Sequence, residues 1–566
     1  MKVRSALPQW ISPIPGILCF LLMLPAYTLP AGAAWQFGAS DQQGAEQAES
    51  DEGLEPLPMS PVEKAQKDGT AVLLSLKDIT RLALENNIDI AVEGTNERSS
   101  LENLKSAYAS YDPTLSFTLG TNSSKSANTR LDTASQEGDF TTSKRLNWNI
   151  NYSQQVRTGG NLRASWQTSR SSSNEAFSFY NPNWSTSASV TFTQPLWRNL
   201  LIDQNRGNLK IRKLDLENSN ISFKRTVTSN ISRIQQQYWD LVSAIRNYEI
   251  QRNSLRLSQR NLRDIRKKVE VGTLAPIEIT QANYQVAQTR LRLINAEDTI
   301  HRQMNNMRQY ISGDRNNQIW AKVIVPTDTP EFQEYRIDET TAIETAMKNR
   351  PELLQSDLDL EKSDINLRLA RENRKWGVDL QASYGSQGAS GTPGPNISAP
   401  PENIGGVGTA YDNLFTGGLT NWSLQVSLDI PLWDRSVDVG VANQLISRYR
   451  TVLQRRKQEQ AIQVEIRNAV QSLETSRQQV ETANLNMELA REQLDGEEKR
   501  FEAGLSEFYR VLDQQNRLAE AENGALSALI TYKQAIITLQ ESMNTLLEQN
   551  HIEIAKSASS HIPDLR

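Results

Sequence analysis

IQQQYWDLVSAIRNYEIQRNSLRLSQRNLRDIRKKVEVGTLAP, residues 234–276, and IRNAVQSLETSRQQVETANLNMELAREQLDGEEKRFEAGLSEF, residues 466–508, are one segment written twice, 232 positions apart (466 − 234) and without a gap. Apolar residues recur every seven positions in both copies. Ile234, Leu241, Tyr248, Leu255, Leu262 and Val269 answer Ile466, Leu473, Val480, Met487, Leu494 and Phe501, which is the seam of a heptad helix. Gly272 and Gly504 then fall at one equivalent place, where a helix can end on a residue that tolerates positive φ. Beyond each glycine a second seam resumes, Ile279, Ala282, Val286, Leu293, Ala296, Ile300 and Met307 in one copy, Val511 to Leu539 in the other. Each copy therefore reads as a long helical hairpin, spanning 204–311 and 435–548.

The duplication extends upstream. SLKDITRLALENN begins at Ser75 and AIETAMKNRPEL at Ala342, with Ala83 and Asn86 matching Ala346 and Asn349 at an offset of 263 (346 − 83). Ser75 with Asp78 has the spacing of a capping box. Between these leading helices and the hairpins the period changes to two, the strand signature. Leu115, Phe117 and Leu119 alternate with Ser116 and Thr118; Leu146, Trp148, Ile150 and Tyr152 alternate with asparagines; Leu162, Ala164 and Trp166 follow Thr158-Gly159-Gly160. Val190 and Phe192 lead into QPLW, and in the second half Val378–Tyr384 and Trp422–Ile430 lead into IPLW. The barrel strands thus fall within 113–195 and 377–431.

Such strands suit a soluble sandwich or a membrane barrel. Three features favour the barrel: segments of about ten residues, Trp and Tyr near strand ends, and connections alternating between tight (158–160) and long and polar (123–143, 171–183, 386–420). One chain has too few strands to close a pore, and open edges are not viable in lipid, so oligomerisation must complete it.

Composition bounds the rest. A mean hydropathy of −0.56 argues against a helical membrane protein. Residues 1–33 carry Lys2 and Arg4, an apolar run around 17–24 and an A-x-A site at Ala31–Ala33, which reads as a secretory signal. Its removal takes Cys19, the one cysteine, and moves the formal charge from −5 to −7; disulfides, thiolate metal sites and nucleic-acid binding drop out. Residues 34–70 are acidic and proline-containing and read as a disordered tether. Residues 75–311 form the first repeat, 312–335 a linker, 336–548 the second repeat and 549–566 a tail. The three histidines, His301, His551 and His561, have no metal-ligand spacing, and no Walker loop, dinucleotide fingerprint or nucleophile elbow is present. An enzyme is not expected, and neither is a cofactor.

Residues 75–548 resemble the TolC-type outer-membrane efflux proteins, through the paired leading helices, the strand-ending QPLW and IPLW, and the glycine turns VGTLAPIEI and AGLSEFYRVLD. The resemblance implies a homotrimer: an outer-membrane β-barrel continued by a long periplasmic α-helical barrel, built from two repeats. It implies an exit duct for tripartite efflux or type I secretion, with a periplasmic adaptor and an inner-membrane transporter as partners. A periplasmic adaptor-like coiled coil is the alternative. The resemblance also places a gate at the hairpin turns, which carries over to Glu278, Arg510 and Asp513; Arg510 stands where the family pattern has a second acid, and each of the three also fits an ordinary solvated helix charge. The family plan has two strands per half. Pro113–Pro195 spans 82 positions against 55 for Trp376–Pro431, an excess of 27 (82 − 55), so either this barrel is wider or the extra hairpin, 146–168, lies outside the wall; the family count favours the second.

Overall fold

The computed structural model describes residues 55–127, 140–175, 178–394, 402–416, 418–430 and 432–552; the expected signal, the first part of the expected tether and most of the C-terminal tail lie outside them. From Leu57 onward the chain forms one compact unit. In chain order its first-half elements are α1 (Pro61–Lys67), β1 (Ala71–Leu74), α2 (Leu76–Asn86), α3 (Ile88–Tyr108), β2 (Thr114–Ala127), β3 (Phe140–Gln155), β4 (Asn161–Ser173), β5 (Tyr180–Pro195), α4 (Gln204–Glu270) and α5 (Ile277–Ile311). The second half follows as β6 (Val323–Pro326), α6 (Glu339–Asn349), α7 (Pro351–Glu372), β7 (Gly377–Pro393), α8 (Val407–Thr416), β8 (Thr420–Asp429), α9 (Arg435–Glu502), α10 (Phe508–Ser542) and α11 (Leu546–Gln549).

The two long helices have 67 and 68 residues, about 100 Å each at 1.5 Å per residue. Their heptad positions are where the cores form. Ile234, Leu241 and Tyr248 are fully buried and pack with Leu293, Ile300 and Met307 of α5. Ile462, Ile466 and Leu473 pack with Tyr532 and Leu539 of α10 and with Ala342 and Ala346 of α6. The alanines are the point of contact: with no side chain beyond Cβ, α6 comes close against α9. Truncating one fully buried Ile or Leu in either core costs about 2–5 kcal/mol.

The two halves are stitched by a parallel ladder, Ala71↔Val323 through Leu74↔Pro326. Just beyond it Asp328 accepts hydrogen bonds from the Leu76 amide (2.7 Å) and the Tyr238 hydroxyl (2.6 Å), so one carboxylate joins the start of α2 to the middle of α4. Burial and this carboxylate hold the Tyr238 hydroxyl well above its usual pKa. The Ser75 capping box forms, with Asp78 answering the Ser75 amide at 3.2 Å.

Two expectations need correction. The last part of 34–70 is folded: Ser60 and Glu63 close a capping box around α1, Ala65 is buried, and the Tyr248 hydroxyl reaches the Pro58 and Met59 carbonyls. Acidic composition hid a good helix start, Ser-Pro-x-Glu, whose Ser60 and Glu63 satisfy two otherwise orphan amides. The second correction concerns the sheet. Its order is β2-β3-β4-β5-β7-β8, antiparallel throughout, so the 146–168 hairpin lies inside the wall, hydrogen-bonded on both sides. Continuous registers from Thr114↔Ser153 and Asn161↔Thr193 leave no room for it elsewhere.

Candidate functional site

Both hairpins turn through the same backbone device. Gly272 has φ 78° and Gly504 φ 74°, and around each the last helical carbonyls are satisfied crosswise. Thr273 donates to the Lys268 carbonyl and Gly272 to Val269; Leu505 donates to Arg500 and Gly504 to Phe501. These are Schellman closures, and the left-handed residue in them is glycine because a Cβ there meets its own backbone.

The two tips are fastened to each other. Leu262, Ile265 and Ala282 of the first hairpin pack with Phe508 and Leu512 of the second. The Lys268 ammonium sits 4.2 Å from the Phe501 ring, and Phe501 meets Phe508 at 6.0 Å. Asn261 donates to Gln515 at 2.7 Å and Gln285 to Asn516 at 2.9 Å.

Around this polar and apolar clasp stand the candidate charges. Glu278 lies half-buried in the first turn of α5, Arg510 is exposed near the start of α10, and Asp513 is half-buried one turn further on. Among the described residues no ion pair joins any two of the three. Asp513 instead holds Arg517 at 2.8 Å, the i,i+4 spacing at which an acid N-terminal to a base is favoured. Arg517 was legible in the sequence by that spacing. Glu498 was not: it lies on α9 facing Gln515 of α10, and burial raises its pKa above the ordinary glutamate value despite a hydrogen bond from Gln515 at 3.4 Å, with Asp495 and Glu502 pushing the same way.

At the other end, the sheet has two unlike faces. Register places Leu115, Tyr152, Ala164, Val190, Tyr384 and Trp422 in one row, and the rows two residues away continue that face as Phe117, Ile150, Trp166 and Ala188. Much of it is bare, Phe117 being 65% and Trp422 77% exposed. The alternate positions are Ser116, Asn149, Asn151, Ser165, Ser187, Ser189, Gln381, Ser383 and Gln425, a wholly polar face. The outer strands β2 and β8 each leave one edge unpaired within the chain.

The helix α8 lies on the apolar face, folded back from the connection between β7 and β8. Beneath it the strands turn small: Thr168, Thr186, Gly388 and Ser390. A Cβ on Gly388 would stand 2.1 Å from the Ala410 carbonyl oxygen. The Trp148 indole donates to the Tyr411 hydroxyl at 3.2 Å, Trp166 meets the Tyr411 ring edge-on at 5.6 Å, and Ser390 donates to the Gly406 carbonyl at 2.7 Å. This helix is absent from the sequence reading, which took 386–420 as loop.

No helix among the described residues is long and apolar enough to cross a membrane, and no group of three or more His, Cys, Asp or Glu among them is placed to hold a metal ion.

The sequence profile of the outer membrane efflux protein family matches residues 161–313 and 342–545. No curated protein matches the sequence significantly. Among solved structures, the fold is similar to the Campylobacter jejuni CmeC outer membrane channel (TM-score 0.60, 15% identity, 83% of this chain and 86% of that one). It is also similar to the outer-membrane channel OprN (0.60, 14%, 92% and 98%) and to the Vibrio cholerae outer membrane protein VceC (0.58, 13%, 83% and 95%).

Proposed function

Because the chain belongs to the outer membrane efflux protein family, we propose that three copies form an exit duct, its β-barrel in the outer membrane and its helical hairpins reaching across the periplasm. The observation that carries this is the amphipathic sheet with two free edges. The strands alternate in direction and number six per chain, so β8 of one copy meets β2 of the next antiparallel, and a ring of copies closes without exposing an edge to lipid. The apolar face turns to lipid and the polar face lines the lumen. The helices agree: Val439, Ile446 and Leu453, seven residues apart on α9, are exposed in the single chain and suit a neighbouring copy's helix. A soluble periplasmic coiled coil has no use for such a sheet.

The duct works with an inner-membrane transporter and a periplasmic adaptor that engages the hairpin tips, serving tripartite efflux or type I secretion. Conduction is controlled where the tips converge, with Glu278, Arg510 and Asp513 as pore-facing charges around the Gly272 and Gly504 turns. Fractionation followed by particle mass in mild detergent tests the reading. An outer-membrane trimer is expected; a monodisperse monomer or a soluble periplasmic protein would overturn it.

A further inference from the structure

On the proposed lipid-facing side of the sheet, at the end remote from the helices, three cations lie along one diagonal of neighbouring strands. Lys144 of β3 is opposite Ser123 of β2 and Ser172 of β4. Lys125, two residues after Ser123, is level with Thr142, and Arg170, two before Ser172, is level with Leu146, so the two flank Lys144 on one diagonal of this face, each about 7–8 Å from it between backbone positions. All three belong to the side chain set that carries Phe117, Leu119 and Trp148, just beyond the apolar band. None has a carboxylate partner among the described residues. Lys125 lies 4.8 Å from the Phe140 ring and Arg170 5.7 Å from Trp184, and Trp184 meets Trp148 at 6.0 Å, so aromatic rings stand beside the charges as in an interfacial girdle. Among the described residues the acids on neighbouring segments are Glu175, in the turn after β4, and Asp412 on α8, and no ion pair joins either to the three; Asp132, Glu137 and Asp139, in the connection between β2 and β3, lie outside the described residues.

Three cations along one diagonal repel one another, and at the margin of the acyl region water screens them less than in bulk solvent. Anions held along them offset both costs, and phosphates match best, accepting from the Arg170 guanidinium fork and from the lysine ammonium groups. We propose that Lys125, Lys144 and Arg170 form a binding site on the outer wall of the barrel for the phosphorylated headgroup of an outer-leaflet glycolipid of the lipid A class, whose acyl chains lie beside α8 along β2, where Leu115, Phe117 and Leu119 are bare. The site rests on the barrel reading above, since it needs this face turned to lipid.

The test is native mass spectrometry of the detergent-purified protein titrated with diphosphorylated lipid A. The triple variant Lys125→Gln, Lys144→Gln, Arg170→Gln should bind at least tenfold more weakly, and removing the lipid's phosphates should weaken wild-type binding as much. Arg145→Gln, next in sequence but on the polar face, should leave binding unchanged. Equal binding by wild type and triple variant, indifference to the phosphates, or an equal loss in Arg145→Gln would overturn the site. Displacement of the lipid by millimolar inorganic phosphate would reassign it as a free-anion site and overturn the lipid assignment. A bimane label on Leu119→Cys, read against brominated lipid in vesicles, separates the two levels. Absence of quenching would overturn the orientation of the sheet itself, whereas quenching with unchanged lipid A binding would overturn the site alone.

Discussion

At the level of single residues, the hairpin tips divide their charges into paired and unpaired. Asp513 is held by Arg517, while among the described residues no ion pair holds Arg510. If Asp513 faces the pore, Arg517→Ala should free its charge and raise cation selectivity and block by multivalent cations, and Asp513→Ala should lower both; single-channel recording in planar bilayers reads each. Unchanged conductance, selectivity and block in both variants would return these charges to the solvated outside. Glu498 behaves differently, because its raised pKa comes first from burial. The fold favours its protonated form, so the cost of its charge is absent below the ordinary glutamate range and grows as pH rises through the raised folded value. Glu498→Gln should therefore raise the melting temperature at about pH 8 and flatten its fall with pH. An identical pH profile for the variant would sink this account. Gly504→Ala should cost about 1–2 kcal/mol with no steric clash, since nothing stands near its missing Cβ and the strain is wholly in the positive φ.

Among the elements, the long helices were legible because a seven-residue period over dozens of positions has no other reading, and their glycine ends were legible because Schellman closures need glycine. The short elements were not. In α1 the signal was present, Ser60 three residues before Glu63 with Pro61 between them, but seven residues inside an acidic, proline-containing stretch do not register as a period. In α8 the sequence VGTAYDNLFT lies in a connection rich in Gly, Ser and Pro, and only the row of small residues on β7 and β5 beneath it reveals a seat. Strand alternation at 146–168 was plain, yet membership of the wall depends on register, which one strand cannot specify without its neighbours. Deleting residues 57–70 should accordingly lower the thermal stability of the assembly, because it uncovers Tyr248 and removes the Glu63 partner of Arg252 at 2.7 Å. The exposed part of that ion pair contributes under about 1 kcal/mol, so most of the loss should survive in high salt. Wild-type stability of the deletion would show that α1 merely rests on the surface. Gly388→Leu should unseat α8 while leaving the strands paired, which protease cleavage between 402 and 416 would report.

For the whole molecule, six strands per chain make a ring of eighteen when three copies close, where four would make twelve. At 4.8 Å between strands and a tilt near 40°, the backbone diameter rises from about 24 Å to about 36 Å. Disulfide cross-linking between cysteines placed on β8 and β2 should join neighbouring copies, and open-state conductance should exceed that of a twelve-stranded relative; failure of the cross-link in assembled trimers would refute edge-to-edge closure. The ladder between β1 and β6 has a different kind of consequence. Ala71 finds its partner Val323 only 252 positions later (323 − 71), after the barrel strands of the first half and an entire hairpin have been made. A chain delivered N-terminus first must keep β1 unpaired throughout that interval, while α4 already offers the apolar surface on which it will lie. Closing so long a loop is an ordering event that waits for the second half to arrive, and the ladder thus acts as a checkpoint in time: a chain truncated before residue 323 has every strand of its first barrel segment and can rest α1 on α4 through Tyr248 and Arg252, but β1 is left without its strand partner.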